Sequence, residues 1–198
     1  MRRRIIVTDV TEMGAGHFCV AGWDSTASRM VRPLLPGRHS WPAAWIGPDR
    51  FWPGNHVEFR QAMNRPKSEW PHATEDTEIV PGSLDFTSGG TPHGWTRGLT
   101  ASVSPTLAMA FGQEVQCELR AGIRTRAAVA SGSAVPSLGA LIIRPDRLEF
   151  RNGPIRDGRP QLRARLADFD GWYDLPVVAH QLRQHHRKGG TAEVVRKI

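Results

Sequence analysis

The sequence predicts a mainly β protein, built as two consecutive small barrels with a C-terminal helix. Three observations lead to this fold class. Short apolar runs alternate with polar residues, glycines and prolines separate these runs, and an extended apolar helical stripe occurs only near the C-terminus. The chain has 198 residues, so each half is near the size of a small closed barrel.

The first half is organised around a predicted hairpin. The apolar runs Phe18–Trp23 and Met30–Leu35 flank the polar segment Asp24–Ser28, which is typical of a strand, a turn and a returning strand. Arg4–Val10 is a β-branched strand before it. His56–Arg60 alternates apolar and polar residues and follows a loop rich in Trp and Pro. We therefore expect the first barrel within residues 1–80.

Residues 81–113 are expected to connect the barrels and to hold one short helix around Pro105–Phe111. The second barrel, with the C-terminal helix, is expected over residues 114–198. The final helix is predicted to begin at Asp174, with Pro176 in its first turn and an apolar stripe behind it. The strands predicted in this half begin near Glu114 and continue at Gly139–Arg144, Arg147–Arg151 and Gln161–Ala167.

The net excess of positive charge lies in one stretch of the chain. The chain carries a net charge of +7, and residues 120–165 hold 10 arginines against 3 acidic residues. Arginine forms bidentate contacts with phosphate and stacks on flat rings. A GC-rich genome accounts for many arginines and few lysines, but it does not explain their clustering. The clustering favours a polyanionic partner.

Several motifs resemble the bacterial dual OB-fold domain family, and the resemblance covers almost the whole chain. They are IIVTDVTEMGAGHFCVAGWDS with RMVRPL in residues 5–34, FWPGNHVEF in 51–59, PHATEDTE in 71–78, SLGALIIRP in 137–145 and DLPVVAHQLR in 174–183. The resemblance implies two consecutive OB barrels and a nucleic-acid-binding role. It brings no catalytic residues with it.

The predicted binding residues are arginines on neighbouring strands and aromatic residues near strand ends. OB barrels bind single strands on a sheet face, with cations on phosphates and flat groups on bases. The alternative is a solvated outer face, and most loop tryptophans are better explained as core. The candidate residues are Trp23, Arg29, Arg32, Arg124, Arg126, Arg144, Arg147, Arg151, Arg163, Arg165, Trp172 and Tyr173.

The motif PHATED contains a histidine and two carboxylates. His72, Glu75 and Asp76 have the chemistry for a metal ion or for proton transfer. The simpler interpretation is that the carboxylates brace a turn by pairing with arginines. The sequence has no glycine-rich phosphate loop, nucleophile elbow or paired-cysteine motif.

The sequence thus predicts a non-enzymatic protein that binds single-stranded or structured DNA or RNA and needs no cofactor. The alternatives are a metal-assisted hydrolase or nuclease at His72, Glu75 and Asp76, or a protein-interaction module. The apolar run after Met1–Arg4 is too short for a signal peptide and no run is long enough to cross a membrane, so a cytoplasmic location is expected. The two cysteines, Cys19 and Cys117, do not indicate a disulfide framework.

Overall fold

The computed structural model of the protein describes residues 1–37, 40–62, 74–89, 103–111, 116–128, 140–141, 143–156 and 158–195. It is mainly β, with curled sheets and a C-terminal helix. The chain divides into two compact units. The first takes in Met1–Val103 together with Ala140, and the second takes in Ser104–Ala130 and Leu141–Ile198.

The first unit is one curled sheet. Its strands run in the order β6-β3-β2-β1-β5-β7, with β4 on β2, and only β3 and β6 pair in parallel. The sheet curls far enough for the end of β5 to bond the end of β6, because Ala62 N donates to Glu78 O at 2.8 Å and Val80 N donates to Arg60 O at 2.7 Å. The strands are β1 Arg2–Gly14, β2 His17–Asp24, β3 Arg29–Leu34, β4 Trp41–Pro42, β5 His56–Arg60, β6 Asp76–Glu78 and β7 Asp85–Thr87.

An apolar core fills this curl. It includes Val7, Val20 and Val57 from three strands, each fully buried, together with Trp41 from β4 and Phe51 from the connection before β5. The Trp41 ring is polar at one atom only, and its Nε1 donates to Pro33 O at 2.7 Å, so burial leaves no donor unpaired. Core packing thus explains this tryptophan, as the sequence interpretation of the loop tryptophans suggested.

The predicted hairpin is present, and a glycine and an aspartate shape it. A Cβ on Gly22 would lie 2.7 Å from Ile5 Cδ1 and 2.8 Å from Ile6 O, so only glycine fits between β1 and β2. At the turn, Asp24 Oδ1 accepts from the backbone N of Thr26 and of Ala27, each at 3.0 Å. These contacts fix where β2 ends and the chain reverses.

The second unit is a five-stranded sheet with two helices. The strand order is β12-β13-β14-β10-β9, and β10 and β14 pair in parallel. Two short strands, β8 and β11, pair separately. The remaining elements are β8 Val103–Ser104, α1 Leu107–Phe111, β9 Gln116–Arg120, β10 Ile123–Ala128, β11 Ala140–Leu141, β12 Leu148–Arg156, β13 Arg159–Ala167, β14 Trp172–Pro176 and α2 His180–Val195.

The predicted start of the last helix is wrong. Residues Trp172–Pro176 form β14, and α2 begins at His180. The reason is sheet pairing: Tyr173 lies opposite Leu166 and Leu175 lies opposite Ala164, so the alternating residues find partners on β13. The apolar positions interpreted as a helical stripe are therefore divided between a strand, a connection and a helix.

Among the described residues, the helices are all too short or too polar to cross a membrane.

Removing the Trp41 side chain tests the core of the first unit. We expect Trp41→Ala to lower its free energy of unfolding by about 3–5 kcal/mol, because the change leaves a cavity among fully buried side chains. Urea denaturation followed by circular dichroism measures this. Met13→Ala is the control, since Met13 is 64% exposed and should cost less than about 0.5 kcal/mol. Equal losses in the two variants would contradict this assignment of the core.

Candidate nucleic-acid interface

Two neighbouring strands of the second unit, β12 and β13, place the central arginines on one face. Arg151 on β12 lies opposite Arg163 on β13, and Arg165 lies between Glu149 on β12 and Asp174 on β14. Residues directly opposite each other in a sheet share a face. The structure therefore brings three of the predicted arginines together, and their strand neighbours Phe150, Ala164 and Leu175 occupy the other face.

Asp174 binds two of these arginines. Its Oδ1 accepts from Arg163 Nε at 3.0 Å, and its Oδ2 accepts from Arg151 Nη2. Arg163 Nη2 also donates to the backbone O of Asp174 at 2.5 Å and to Thr125 O at 3.3 Å. The side chains of Arg163 and Asp174 are only 13% and 6% exposed. Arg163 is thus a structural residue that links β13, β14 and β10.

The pairing determines the charge state of Asp174. Burial acts to raise the pKa of its carboxyl, but the hydrogen bonds and charges of Arg151 and Arg163 outweigh burial, and the pKa is lowered from its ordinary value. Asp174 is therefore ionised at neutral pH. The same contact raises the pKa of Arg151, chiefly through its hydrogen bond to Asp174.

Arg165 and Trp172 form a different kind of contact on the same face. The Arg165 guanidinium carbon lies 5.0 Å from the centre of the Trp172 ring, within the range of a cation–π interaction. Trp172 is 40% exposed. Arg165 Nε has no hydrogen-bond partner within the described part of the chain. This pair therefore places an exposed aromatic ring beside a cation. We call the surface formed by Arg151, Arg165 and Trp172 the Arg165–Trp172 surface.

Tyr173 and Arg124 lie on the opposite side of β14 from Trp172. Tyr173 is only 3% exposed, so its ring is not available for stacking on a ligand. The Arg124 guanidinium carbon lies 5.1 Å from the ring centre, and its Nη1 donates to Asp170 O at 2.8 Å. Burial, and next the charge of Asp168, raise the pKa of Tyr173 to about 12.

The other predicted arginines of this unit are spread out. Arg144 is exposed but makes a bidentate ion pair with Asp146, with both contacts at 3.0 Å. Arg147 lies exposed in the 3₁₀ turn Pro145–Arg147, one residue before β12. Arg126 belongs to β10, and its side chain lies outside the described part of the structure.

In the first unit, one of the predicted residues is buried and another is largely buried. Trp23 is 6% exposed, so its ring cannot stack on a base in this conformation. Arg32 makes a bidentate ion pair with Asp76, at 2.6 and 3.0 Å, and its side chain is 11% exposed. Arg29 is exposed and donates to Thr74 O at 3.2 Å.

The carboxylates of the PHATED motif have different partners. Both oxygens of Asp76 accept from Arg32. This is the pairing expected if the carboxylate braces a turn by binding an arginine. Glu75 is 2% exposed and accepts from Thr74 Oγ1 at 2.8 Å, while His72 lies outside the described residues. Over the described ranges there is no group of three or more His, Cys, Asp and Glu side chains that could hold a metal ion.

The sequence interpretation overlooked the turn between β13 and β14. Phe169 in this turn is 84% exposed, and the turn lies directly before Trp172. The signal was present as Asp168-Phe169-Asp170-Gly171, an aspartate and a glycine at the two ends of a four-residue connection. Predicting a helix from Asp174 hides this turn, because no strand is then expected after the turn to complete a hairpin.

Comparison with protein-family models, with curated proteins and with solved structures gave no match to this chain. The assignment of function therefore depends on the geometry described above.

Asp174 can be tested by its effect on stability. We expect Asp174→Asn to destabilise the second unit by about 3 kcal/mol at pH 7, since it leaves Arg163 largely buried without its counter-charge. The carboxyl pKa is lowered in the folded state, so this stabilisation is complete above about pH 5 and is lost as pH falls through the folded-state pKa. The loss relative to wild type should therefore shrink steadily in acid.

Denaturant titrations at several pH values measure this difference. Asp146→Asn is the matched control, because it breaks an ion pair whose side chains are 74% and 60% exposed and should cost less than about 1 kcal/mol. Similar losses in both variants, or a loss from Asp174→Asn that persists unchanged to low pH, would contradict the assignment.

Tyr173 provides a direct spectroscopic test, because it is the only tyrosine in the chain. We expect its phenol to ionise near pH 12, compared with about 10 for an exposed tyrosine. The unfolded state would lose this proton first, so stability should fall as the pH rises above about 10. Ultraviolet absorbance of the tyrosinate measures the midpoint. Ionisation near pH 10 while the circular dichroism remains native would show that the ring is accessible.

Proposed function

We propose that this protein binds single-stranded or structured nucleic acid, without catalysis, at the Arg165–Trp172 surface. The observation that carries the proposal is the exposed Trp172 ring with a guanidinium 5.0 Å from its centre. Bases stack on open aromatic rings and phosphates pair with arginine, so the two side chains offer both contacts that a nucleotide needs.

We further propose that both units are OB barrels. In the first, the neighbouring strands are β1-β2-β3-β6-β5, with β3 and β6 parallel and with β5 bonded both to β1 and to the end of β6. This order is that of a five-stranded Greek-key barrel. The second unit has the corresponding order β12-β13-β14-β10-β9, again with its third and fourth strands parallel.

The two units differ in where the last two strands of this order occur along the chain. In the first unit, the pair β5 and β6 follows the three-stranded meander. In the second, the corresponding pair β9 and β10 precedes it. The second unit is thus proposed as a circularly permuted copy of the same barrel, and β13 and β14 correspond to its second and third strands.

This correspondence supports the proposed site. OB barrels bind oligonucleotides on the face of their second and third strands, and Arg165 and Trp172 lie on β13 and β14. Asp174 neutralises much of the charge of Arg151 and Arg163, which leaves Arg165 as the arginine of this face that has no carboxylate hydrogen-bonded to it in the described structure. Arg147 adds an exposed cation beside β12.

The charge distribution is consistent with this location. The stretch with 10 arginines and 3 acidic residues, residues 120–165, includes β10, β12 and most of β13. Counterion release from a polyanion then contributes to affinity. The proposal requires no cofactor, and it places the protein in the cytoplasm, where nucleic acid is accessible.

Fluorescence anisotropy with labelled single- and double-stranded DNA and RNA across a salt series tests the proposal. We expect affinity to fall with salt, with a log–log slope of about −0.7 for each phosphate contacted on a single strand. Trp172→Ala should weaken binding by about 1–3 kcal/mol through loss of one stacking contact. Arg165→Ala should weaken binding and reduce the salt slope.

Arg2→Ala is the charge-matched control, because it removes a 69% exposed arginine from the first unit. It should leave the affinity nearly unchanged. Binding that hardly depends on salt, or an equal effect of Arg2→Ala and Arg165→Ala, would contradict the proposed site.

A further inference from the structure

A buried aspartate, Asp168, organises the turn between β13 and β14. Asp168 is 6% exposed, and its Oδ1 accepts from the backbone N of Asp170 at 2.8 Å and of Gly171 at 3.1 Å. Its Oδ2 accepts from Leu107 N, at the start of α1, at 3.0 Å. The turn is therefore fixed by its own aspartate and by a second element of the same unit.

Two further contacts set the shape of the turn. Arg124 Nη1 donates to Asp170 O at 2.8 Å. Gly171 has a φ of +140°, and a Cβ there would lie 2.4 Å from Arg124 Nη1, so this position requires glycine. Contacts of Asp168, Asp170 and Gly171 thus constrain the backbone of the turn.

The Phe169 side chain takes no part in these hydrogen bonds. It is 84% exposed, so its ring contributes little to the packing of the turn that presents it. The Trp172 ring is also open, and it follows directly after the turn. A single exposed apolar side chain is ordinary. Here two exposed aromatic residues lie three positions apart in the chain at one end of one hairpin, and the second of them, Trp172, contacts Arg165.

We infer that Phe169 is a second base-stacking residue and that the ligand of the Arg165–Trp172 surface is single-stranded nucleic acid, not a duplex. The inference rests on the proposed function and adds the strand state to it. Bases in a duplex are stacked on each other and paired, so their faces are covered. Bases in a single strand can separate and stack on aromatic side chains, largely independently of sequence.

The test compares a labelled oligothymidylate with a duplex DNA of the same length, at one low salt concentration. Three variants of the full chain are measured beside wild type: Phe169→Ala, Phe169→Tyr and Ile155→Ala. Ile155 is 76% exposed on β12 of the same unit, so Ile155→Ala is the control for loss of an exposed apolar side chain. Circular dichroism checks that each variant is folded.

We expect wild type to bind the single strand more tightly than the duplex. Phe169→Ala should weaken single-strand binding about tenfold, the effect of losing one stacked base. Phe169→Tyr should retain near-wild-type affinity, because it keeps the ring, and Ile155→Ala should have no effect. Duplex binding should be the same in all four proteins.

Equal affinity for the two strand states, or single-strand affinity of Phe169→Ala within twofold of wild type, would overturn the inference. If binding to the single strand still falls with salt and with Arg165→Ala, the proposed function stands and only the role of Phe169 fails. If neither these DNAs nor the corresponding single- and double-stranded RNAs bind at low salt, the proposed function fails and the inference fails with it.

Discussion

The candidate site depends on one carboxylate. Asp174 holds Arg151 and Arg163 at the same time, and those three residues come from three neighbouring strands. Without the carboxylate, two arginines directly opposite each other on β12 and β13 would repel and would destabilise the pairing of these strands. With it, the arginine-rich segment can pair into a sheet, and the side chains near it take defined positions.

This arrangement divides the arginines by role. Arg163 and Arg32 are ion-paired and largely buried, and Arg144 is paired locally with Asp146. Arg165 instead lies over an aromatic ring that remains open to solvent. A count of arginines along the chain overstates the charge available to a ligand, because each buried carboxylate neutralises arginines beside it. Arg165 and the exposed Trp172 ring meet at one hairpin, β13 to β14, and this contact is the physical basis of the proposed interface.

The sequence predicts correctly those strands and hairpins that the local alternation of apolar and polar residues and the turn residues determine. His56–Arg60 is a strand with the predicted bounds, the hairpin of β2 and β3 is present, and the arginines of β12 and β13 lie on adjacent strands. It fails where distant residues decide the structure. Arg32 pairs with Asp76, 44 positions away along the chain, and no local pattern reveals that this arginine is occupied.

The same limit explains the error at Asp174. Leu175, Val178 and Leu182 have helical spacing, yet Leu175 belongs to a strand because Ala164 on β13 pairs with it. Tertiary pairing overrides a short periodic pattern. Trp23 and Tyr173 were expected as stacking surfaces but are buried, since a ring near a strand end is equally suited to packing. Phe169 could have been found from its turn chemistry once the hairpin around it was identified.

Hydrogen–deuterium exchange with and without a single-stranded oligonucleotide tests the location of binding most directly. Peptides that cover β13, the turn at Phe169 and β14 should gain protection when the oligonucleotide is bound, and peptides from β1 and β2 should not. Protection confined to the first unit, or binding without any protection of the β13–β14 hairpin, would contradict the account.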